Sequence, residues 1–445
     1  MRTRKVSRGR FLALSGGALA SVALAGCGSG SGGVQQASGN LPKEAKGRTV
    51  VVLWSSYSDV LGKALQSLVD KFNGSQKDVY VQNQFQGSYE QTAQKLAQAL
   101  QAKKIPDISL LSDVNWTRFY LNGNLEPLDG YFGKGFSRED YLTPFRKEGT
   151  KNGKLYWVPF ARSTPLLYYN KEMFRKAGLP DRGPKTWSEL QDWGRELVKL
   201  PAKPKAFAFT TADNYNAWYF QNNVWDWGGA YSNDKLDILI DKDGAVAAGE
   251  FVRAFCNKYG LGYMAKNQTA DFANGQTAMT EDSSGDLTTI LQSAKFDVGA
   301  SFLPAEKDFG CPTGGAGLSI LSSIPEERKK AAFEFIKFLG QPENVSFWTK
   351  KTGYLPVTNS AIASSEMRDY LKKNPLFKVA VEQLPKTRPQ DLARTIIPNG
   401  DQIIGKGIEN IIDNNQPAKT AFASVAQQLE SAGKSVKSQL AKAGG

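Results

Sequence analysis

Hydrophobic and polar positions along the chain alternate between the period of buried strands and the period of amphipathic helices. Residues 48–55 (RTVVVLWS) form a nearly continuous apolar run, as a strand buried on both faces requires. Apolar residues then recur at helical spacing over 60–72. Two more strands are predicted at 78–85 and 107–112, and the helix between them opens with a capping box at 88–91. This order favours a mostly parallel α/β lobe with right-handed crossings.

A second set of strands and helices follows and predicts a second α/β lobe. A capping box of Thr186 and Glu189 opens a helix that runs to Leu200. Further strands are predicted at AFAFT, FDVGASFLP and GAGLSILSS, and a helix follows Pro325. Two lobes joined by several crossings form a hinged, cleft-containing architecture. Ligands of open α/β sheets bind beyond the carboxyl ends of the strands, and in facing lobes those ends can meet in one cleft.

The first 27 residues have the organisation of a secretory leader. A basic start is followed by an apolar stretch too short to span a bilayer, and Leu24-Ala25-Gly26-Cys27 resembles the lipobox of bacterial lipoproteins. We therefore expect residues 1–27 to be a lipoprotein signal peptide, with Cys27 carrying the lipid. An ordinary signal peptide with an incidental cysteine is the alternative. The Gly/Ser-rich residues 28–47 are predicted to be a flexible tether. Gly9 separates Arg8 from Arg10, which favours the general secretory route over a twin-arginine signal.

Composition narrows the possible functions further. Removing a leader that carries five basic residues lowers the formal charge from +13 to +8, and the remaining basic residues are scattered, so no nucleic-acid partner is expected. The chain has no histidine, which excludes Ser-His-Asp catalysis and histidine-bound metal centres. Paired carboxylates remain the main enzyme chemistry possible. We expect no metal and no cofactor, and whether Cys256 and Cys311 pair stays open.

Polar segments fall at the predicted strand ends, and aromatic residues accompany them. Such segments occur at 88–90, 112–113, 281–285 and 314–317, where each could contact a polyol or an anion but could equally cap a helix. Tyr215 and Trp218 are three residues apart, on one face of a possible helix. In this polar setting they could form a stacking wall for a sugar or glycerol, or could pack in the core, to which we assign Phe220 and Trp225.

From Thr49 to about Ile412 the chain resembles family 1 of the extracellular solute-binding proteins of ABC importers. Within that family its motifs are most similar to the subfamily that binds glycerol 3-phosphate. The motifs that carry the resemblance are GSYEQ, PFARSTPLLYYNKEMFRKAGL, PKTWSEL, AMTEDSSG, GGAGLSI and KTGYLPVT. The resemblance implies a two-lobed periplasmic-binding-protein fold of type II, hinged around a central cleft.

The same motifs imply which residues contact the ligand. The matching positions of known ligand contacts are Tyr89, Ser163, Ser283, Gly315 and Tyr354. Asp113 stands where the family has glutamate, one methylene longer. Trp218 matches one of two stacking tryptophans, and Tyr215 replaces the other.

Two positions depart from the family pattern where a phosphate would need a counter-charge. Ile404 stands where the family places an arginine, and Arg162 stands where it has a small polar residue. We hypothesise that the phosphate site has migrated from the position of Ile404 to Arg162. The alternative is a solvent-facing arginine that lines the hinge, which the sequence places at residues 161–164.

These observations predict lobe 1 at 48–158 plus about 305–345, and lobe 2 at 159–304 plus about 346–440. The implied function is capture of glycerol 3-phosphate or a related glycerophosphodiester, without covalent chemistry, for delivery to an ABC permease. We expect a monomer held at the outer face of the cell membrane by its lipid. A sugar- or oligosaccharide-binding protein of the same fold is the first alternative. A glycosidase that uses Asp113 with Glu281 or Asp282 is the second.

Overall fold

Two five-stranded sheets organise the chain in a computed structural model that describes residues 35–133 and 135–442. In chain order their strands are β1 Thr49–Ser55, β2 Val79–Phe85, β3 Ile108–Ser112, β4 Val158–Ser163, β5 Pro165–Asn170, β6 Lys205–Thr210, β7 Gly262–Ala265, β8 Thr277–Ser283, β9 Val298–Ser301 and β10 Gly314–Ile320. Each strand predicted from the apolar pattern is present, within a few residues of its predicted bounds.

The two sheets share one topology. The first has the order β2-β1-β3-β10-β4 and the second the order β7-β6-β8-β5-β9. In each sheet the fourth strand, β10 or β5, pairs antiparallel with both of its neighbours, and the other recorded pairings are parallel. Those two strands enter a sheet from the other lobe. The other four strands of each sheet run in one direction, which confirms the prediction of mostly parallel strands.

Helices cover the faces of both sheets. They are α1 Asp59–Ser75, α2 Tyr89–Gln101, α3 Trp116–Leu121, α4 Thr143–Glu148, α5 Lys171–Lys176, α6 Trp187–Leu197, α7 Asn216–Asp226, α8 Asp243–Arg253, α9 Gln268–Ala273, α10 Leu287–Ser293, α11 Glu326–Leu339, α12 Pro342–Thr352, α13 Asn359–Ala363, α14 Ser365–Lys373, α15 Pro375–Gln383, α16 Leu392–Thr395, α17 Gly400–Asp413 and α18 Ala418–Lys442. A π-helical segment, Ala254–Lys258, extends α8.

The capping residues begin the helices for the reasons that the sequence suggests, with one difference. Ser88 and Gln91 form both hydrogen bonds of a capping box at the start of α2. At α6 only half of the box forms, because Thr186 accepts from the backbone N–H of Glu189 but the Glu189 carboxylate turns to the Arg182 guanidinium, 2.6 Å away. The i, i+3 pattern alone cannot distinguish these outcomes.

The lobes meet at three crossings, and all three predicted lobe boundaries need correction. All of β4 belongs to the first sheet, so the first crossing lies at Thr164, which is inside the predicted hinge of 161–164 but later than the predicted boundary at 158–159. The second lies just before Gly314, since Ala305 still pairs with Thr186 of lobe 2. Lobe 1 therefore begins again near 314 rather than 305.

The third crossing also comes later than predicted. Residues after 345 remain with lobe 1, because the Trp348 ring packs 4.7 Å from Phe160 and 5.7 Å from Tyr57. Thr358, which begins α13, still pairs with Tyr141 of lobe 1, whereas α15 packs on β9 of lobe 2, so the crossing lies between these two helices. A helix of mixed polarity can pack on either lobe, so its periodicity did not fix this boundary.

The N-terminal segment is more ordered than a tether over its described part. Gln35–Gln36 pairs in parallel with Lys104–Ile105, and the Gln36 amide donates to Val50 O at 2.8 Å. The predicted tether over 28–47 is therefore wrong from residue 35 onward, because these contacts dock the segment on lobe 1. The signal peptide and Cys27 lie outside the described residues. None of the helices over 35–133 and 135–442 is long and apolar enough to cross a membrane.

Candidate functional site

A cleft of about 1100 Å³ lies between the lobes at the strand ends. Side chains at or just after the carboxyl ends of five strands line it: Ser112, Ser163, Thr211, Lys266 and Ser283. This placement follows the rule for open α/β sheets, and both lobes supply such ends. The cleft also takes in eight of the nine ligand-contact residues predicted from the sequence: Tyr89, Asp113, Ser163, Tyr215, Trp218, Ser283, Gly315 and Tyr354.

A tyrosine cluster forms the lobe 1 wall. The hydroxyl oxygens of Tyr57 and Tyr89 are 2.8 Å apart, and the Tyr354 ring stacks on Trp348 at 5.9 Å. Burial raises the pKa of Tyr354 to about 12, so its phenol stays protonated at neutral pH. The wall therefore offers neutral hydroxyl groups, which suit a polyol.

A buried arginine that the sequence reasoning missed lies at the junction of the lobes. The Arg394 guanidinium, in a residue only 2% exposed, pairs with Asp401 at 2.6 Å and approaches Asp113 of lobe 1 at 3.6 Å. Gln390 completes the group, since its amide donates to Asp113 Oδ2 at 2.5 Å and its amide oxygen accepts from Arg394. Burial alone would lower the pKa of Arg394, but Asp401 and Asp113 outweigh burial and raise it. Arg394 also lines the cleft and is thus a cation that a ligand can reach.

Ile404 does not occupy an arginine position facing the cleft. Its side chain is fully buried in the core of lobe 2, on the apolar face of α17. Arg394 lies ten residues earlier, in α16. An arginine just before PNGDQII was the signal that the sequence offered. The gap placement put Ile404, rather than Arg394, at the family's arginine position.

Arg162 is not a cleft residue, and the hypothesis that it binds the phosphate is wrong. Its side chain is fully buried and lies between the rings of Phe145 and Trp157, at 5.3 and 4.8 Å from their centroids. Nη2 donates to the Glu148 carboxylate. Side chains alternate between the two faces of a strand, so Ser163 facing the cleft places Arg162 on the opposite face. The alternative of a solvent-facing arginine is wrong as well.

Trp218 and Tyr215 lie at the start of α7 as predicted, but each has a partner of its own. The Trp218 indole N–H donates to Thr313 O at 3.0 Å, and the ring covers Gly314, where an added Cβ would be 2.4 Å from it. Tyr215 has a left-handed backbone (φ 62°), and its hydroxyl donates across the cleft to Glu90 Oε2 at 2.8 Å. Trp218 is therefore placed to form an apolar wall, whereas Tyr215 connects the lobes. Phe220 and Trp225 are buried, as expected.

The acidic segment 281–286 divides between two environments. Asp282 and Asp286 line the cleft, and burial raises the pKa of both carboxyls, that of Asp286 further because Asp282 is adjacent. Glu281 points away and borders a separate cavity of about 20 Å³ in lobe 2. Cys256 and Cys311 are unpaired buried thiols. Over the described ranges no group of three or more His, Cys, Asp or Glu side chains could hold a metal ion.

Comparisons with known proteins identify the family. The model of the bacterial extracellular solute-binding proteins matches residues 67–379. The sn-glycerol-3-phosphate-binding periplasmic protein UgpB of Salmonella typhimurium is 30% identical over 388 residues, which cover 82% of this chain and 87% of that protein. UgpB of Pectobacterium atrosepticum is 29% identical over 409 residues, or 86% and 91% of the two chains.

Solved structures agree with this assignment. The crystal structure of UgpB from Mycobacterium tuberculosis in complex with glycerophosphocholine has a TM-score of 0.83 and 39% identity, and the match covers 87% of this chain and 98% of that one. The cyclic α-maltosyl-1,6-maltose binding protein of Arthrobacter globiformis matches with a TM-score of 0.75 at 23% identity, over 87% and 99% of the two chains, and shows the fold alone. The two-lobed fold predicted from the sequence is confirmed. The chain belongs to the bacterial extracellular solute-binding proteins.

Proposed function

We propose that this protein is the substrate-binding lipoprotein of an ABC importer and captures glycerol 3-phosphate or a related glycerophosphodiester. The observation that carries the proposal is the position of Arg394, a buried arginine that lines the cleft between two carboxylates of opposite lobes. An arginine can hold two oxygens of a phosphate at once. The similarity to UgpB proteins, two of them named for glycerol 3-phosphate and one solved with glycerophosphocholine, supports this ligand class.

The remaining cleft residues suit the glycerol part of such a ligand. Tyr89, Tyr354, Ser163 and Ser283 supply hydroxyl groups, and Asp113 can accept a hydrogen bond from a glycerol hydroxyl. The Trp218 ring offers an apolar face to the carbon chain. The ligand would then contact both lobes, so it binds the closed arrangement better than an open one and shifts the equilibrium toward closure.

A sugar-binding function is the second candidate, and the size of the cleft favours it. A volume of about 1100 Å³ exceeds what a three-carbon phosphate needs, and an aromatic wall of Trp218 and Tyr219 could stack on a sugar ring. Glycosidase activity is the remote third candidate. Asp282 shares the cleft with Asp113, but Glu281 does not. Incubation with glycosides, followed by a search for released sugar, tests this enzyme reading.

A thermal-shift screen separates the first two candidates. Glycerol 3-phosphate, glycerophosphocholine, glycerol, maltose and trehalose would be compared at equal concentrations. A ligand at 100 times its dissociation constant adds about 2.7 kcal/mol of apparent stability. We expect stabilisation by the two phosphorylated compounds. Stabilisation by maltose or trehalose alone would reject the proposal in favour of the sugar-binding function.

We propose further that Cys27 carries a lipid that keeps the protein beside its permease. Cys27→Ser should release the chain into the soluble fraction, because the lipid and the cleft lie on separate parts of the chain. Affinity for glycerophosphocholine should not change. Detergent partitioning after membrane separation provides the measurement, and continued membrane retention of the variant would contradict the lipoprotein assignment.

A further inference from the structure

We propose that Arg162 is a positioning residue: through Glu148 and Thr313 it holds the hinge in the arrangement that places Trp218 and, through Gln390, Asp113 in the cleft. The proposal depends on the proposed function only for the choice of the solute used as a probe.

The first step is the immobilisation of Arg162 itself. Its guanidinium lies between two aromatic rings, and Nη2 binds Glu148, whereas Nε and Nη1 find no acceptor within the described residues. A buried ion pair of this kind contributes little net stability, since desolvation offsets much of the attraction. In some proteins such a pair fixes one geometry instead, and Arg162 lies behind a hinge, where geometry matters.

The second step links Arg162 to another crossing. The Glu148 carboxylate uses one oxygen for Arg162 and the other for the hydroxyl of Thr313. Thr313 directly precedes β10, in the segment that returns the chain to lobe 1. Glu148 ends α4 of lobe 1, so this helix holds the first and second crossings together.

The third step reaches the cleft. The backbone oxygen of Thr313 accepts from the Trp218 indole N–H at 3.0 Å and from the Gln390 amide at 2.6 Å. Gln390 lies in lobe 2, after the third crossing, and donates to Asp113 of lobe 1. Thr313 thus joins the first two crossings to both lobes, and each bond from it leads to a side chain in the cleft or to the partner of one.

The Arg162 backbone supports the same arrangement. Its carbonyl oxygen accepts from the N–H of Leu355 at 2.8 Å, which fixes the neighbouring Tyr354 in the cleft wall. Arg162 is also the strand partner of Gly315. Arg162 is therefore linked to four residues that line the cleft but does not line it: Trp218, Asp113, Tyr354 and Gly315.

The test uses Arg162→Gln, Glu148→Gln and Thr313→Val, with Arg328→Gln as a matched control. Arg328 also pairs with a buried carboxylate, Asp107, at 3.2 Å, but that pair lies within lobe 1 and has no link to the crossings. The ligand-free readout is the ¹H–¹⁵N resonance of the Trp218 indole, assigned by its loss in Trp218→Phe. The second readout is calorimetric affinity for glycerophosphocholine.

Each of the three variants should shift the Trp218 indole resonance in the same direction and weaken binding about tenfold, the loss of about one well-made hydrogen bond. Arg162→Gln combined with Thr313→Val should lose no more than either alone. Arg328→Gln should lower the melting temperature without moving the resonance or the affinity.

An unchanged resonance and affinity in Thr313→Val would overturn the proposal, and so would additive losses of affinity in the double variant. If Arg162→Gln does not fold, the nearly isosteric Thr313→Val variant decides the test. If the wild type does not bind glycerophosphocholine, the proposed function fails, whereas the indole comparison in the ligand-free protein still tests the positioning role.

Discussion

Two buried arginines at the meeting of the lobes, Arg162 and Arg394, have similar exposure and opposite surroundings. Both are at most 2% exposed and both pair with a carboxylate. Arg162 is enclosed by aromatic rings behind the hinge, whereas Arg394 borders the cleft and reaches across to Asp113. The comparison shows that burial and charge do not identify a ligand-binding arginine. The space that its guanidinium faces does.

Arg394→Gln should cause the largest loss of affinity, because it removes a buried cation from beside a dianionic ligand. We expect a cost of about 2–5 kcal/mol for glycerol 3-phosphate and a small cost for glycerol. Calorimetry with both ligands at matched salt provides the measurement.

Arg162→Gln is the matched control for this prediction. If Arg162 acts only through positioning, it should weaken both ligands by the same factor. A selective loss for the phosphorylated ligand in Arg162→Gln, with none in Arg394→Gln, would reverse the two assignments.

Trp218→Ala should cause the next largest loss of affinity. The Trp218 ring lines the cleft with Arg394, and its indole N–H binds Thr313, which is linked to Arg162 through Glu148. Removing an aromatic wall costs on the order of 1–3 kcal/mol, or at least tenfold in affinity. Trp193→Ala is the control, because that ring stacks on Arg182 at 4.6 Å, away from the cleft. Unchanged affinity in Trp218→Ala would assign the ring to the core.

Gly315→Ala tests β10, where Gly315 pairs with Arg162 and accepts from the N–H of Asp113, the partner of Arg394. Gly315 has a φ of 104°, and a Cβ there would lie 2.1 Å from Ala161 O. We expect a loss of about 1–3 kcal/mol in the free energy of unfolding, measured by urea titration. Gly123→Ala also places alanine at a positive φ (69°), but nearer the allowed left-handed region and with open space around it, so it should lose less. Equal losses would mean that the close approach to β4 is unimportant.

The sequence predicted the fold well because buried strands and amphipathic helices have distinct periods. The β1–β3 region and the capping box at Ser88 follow directly from local patterns. The lobe to which α12 belongs does not follow from such patterns, because an apolar helix face can pack on either lobe. The contact of Trp348 with Phe160 assigns α12 to lobe 1.

The candidate site was predicted unevenly for a related reason. Short motifs located eight cleft residues, because the family resemblance carries each position over by its motif, whether it lies at a strand end such as Ser163 or at a helix start such as Tyr89. Arg162 was misplaced because its proximity to Ser163 along the chain was given more weight than strand alternation. Arg394 was missed because the gap placement put Ile404 at the family's arginine position, and no local pattern shows that Arg394 and Gln390 lie beside Asp113.

Salt should have the smallest effect. Buried charges are screened far less than exposed ones, so raising NaCl from about 0.1 to 1 M should weaken glycerol 3-phosphate binding by roughly twofold if Arg394 is the counter-charge. Lys406, which lies at the cleft and pairs with Glu409 at 2.8 Å, is more exposed and would account for the residual dependence. Lys406→Gln should remove this residual salt dependence. A much steeper salt dependence in the wild-type protein would indicate that exposed cations, rather than Arg394, supply the counter-charge.

The central claim is that the cleft binds a glycerophosphodiester through Arg394, and direct calorimetric titration of the wild-type chain with glycerophosphocholine and with maltose tests it most directly. The account predicts saturable, one-to-one binding of glycerophosphocholine, competed by glycerol 3-phosphate, and no heat of binding with maltose. Saturable binding of maltose with none of glycerophosphocholine would contradict it.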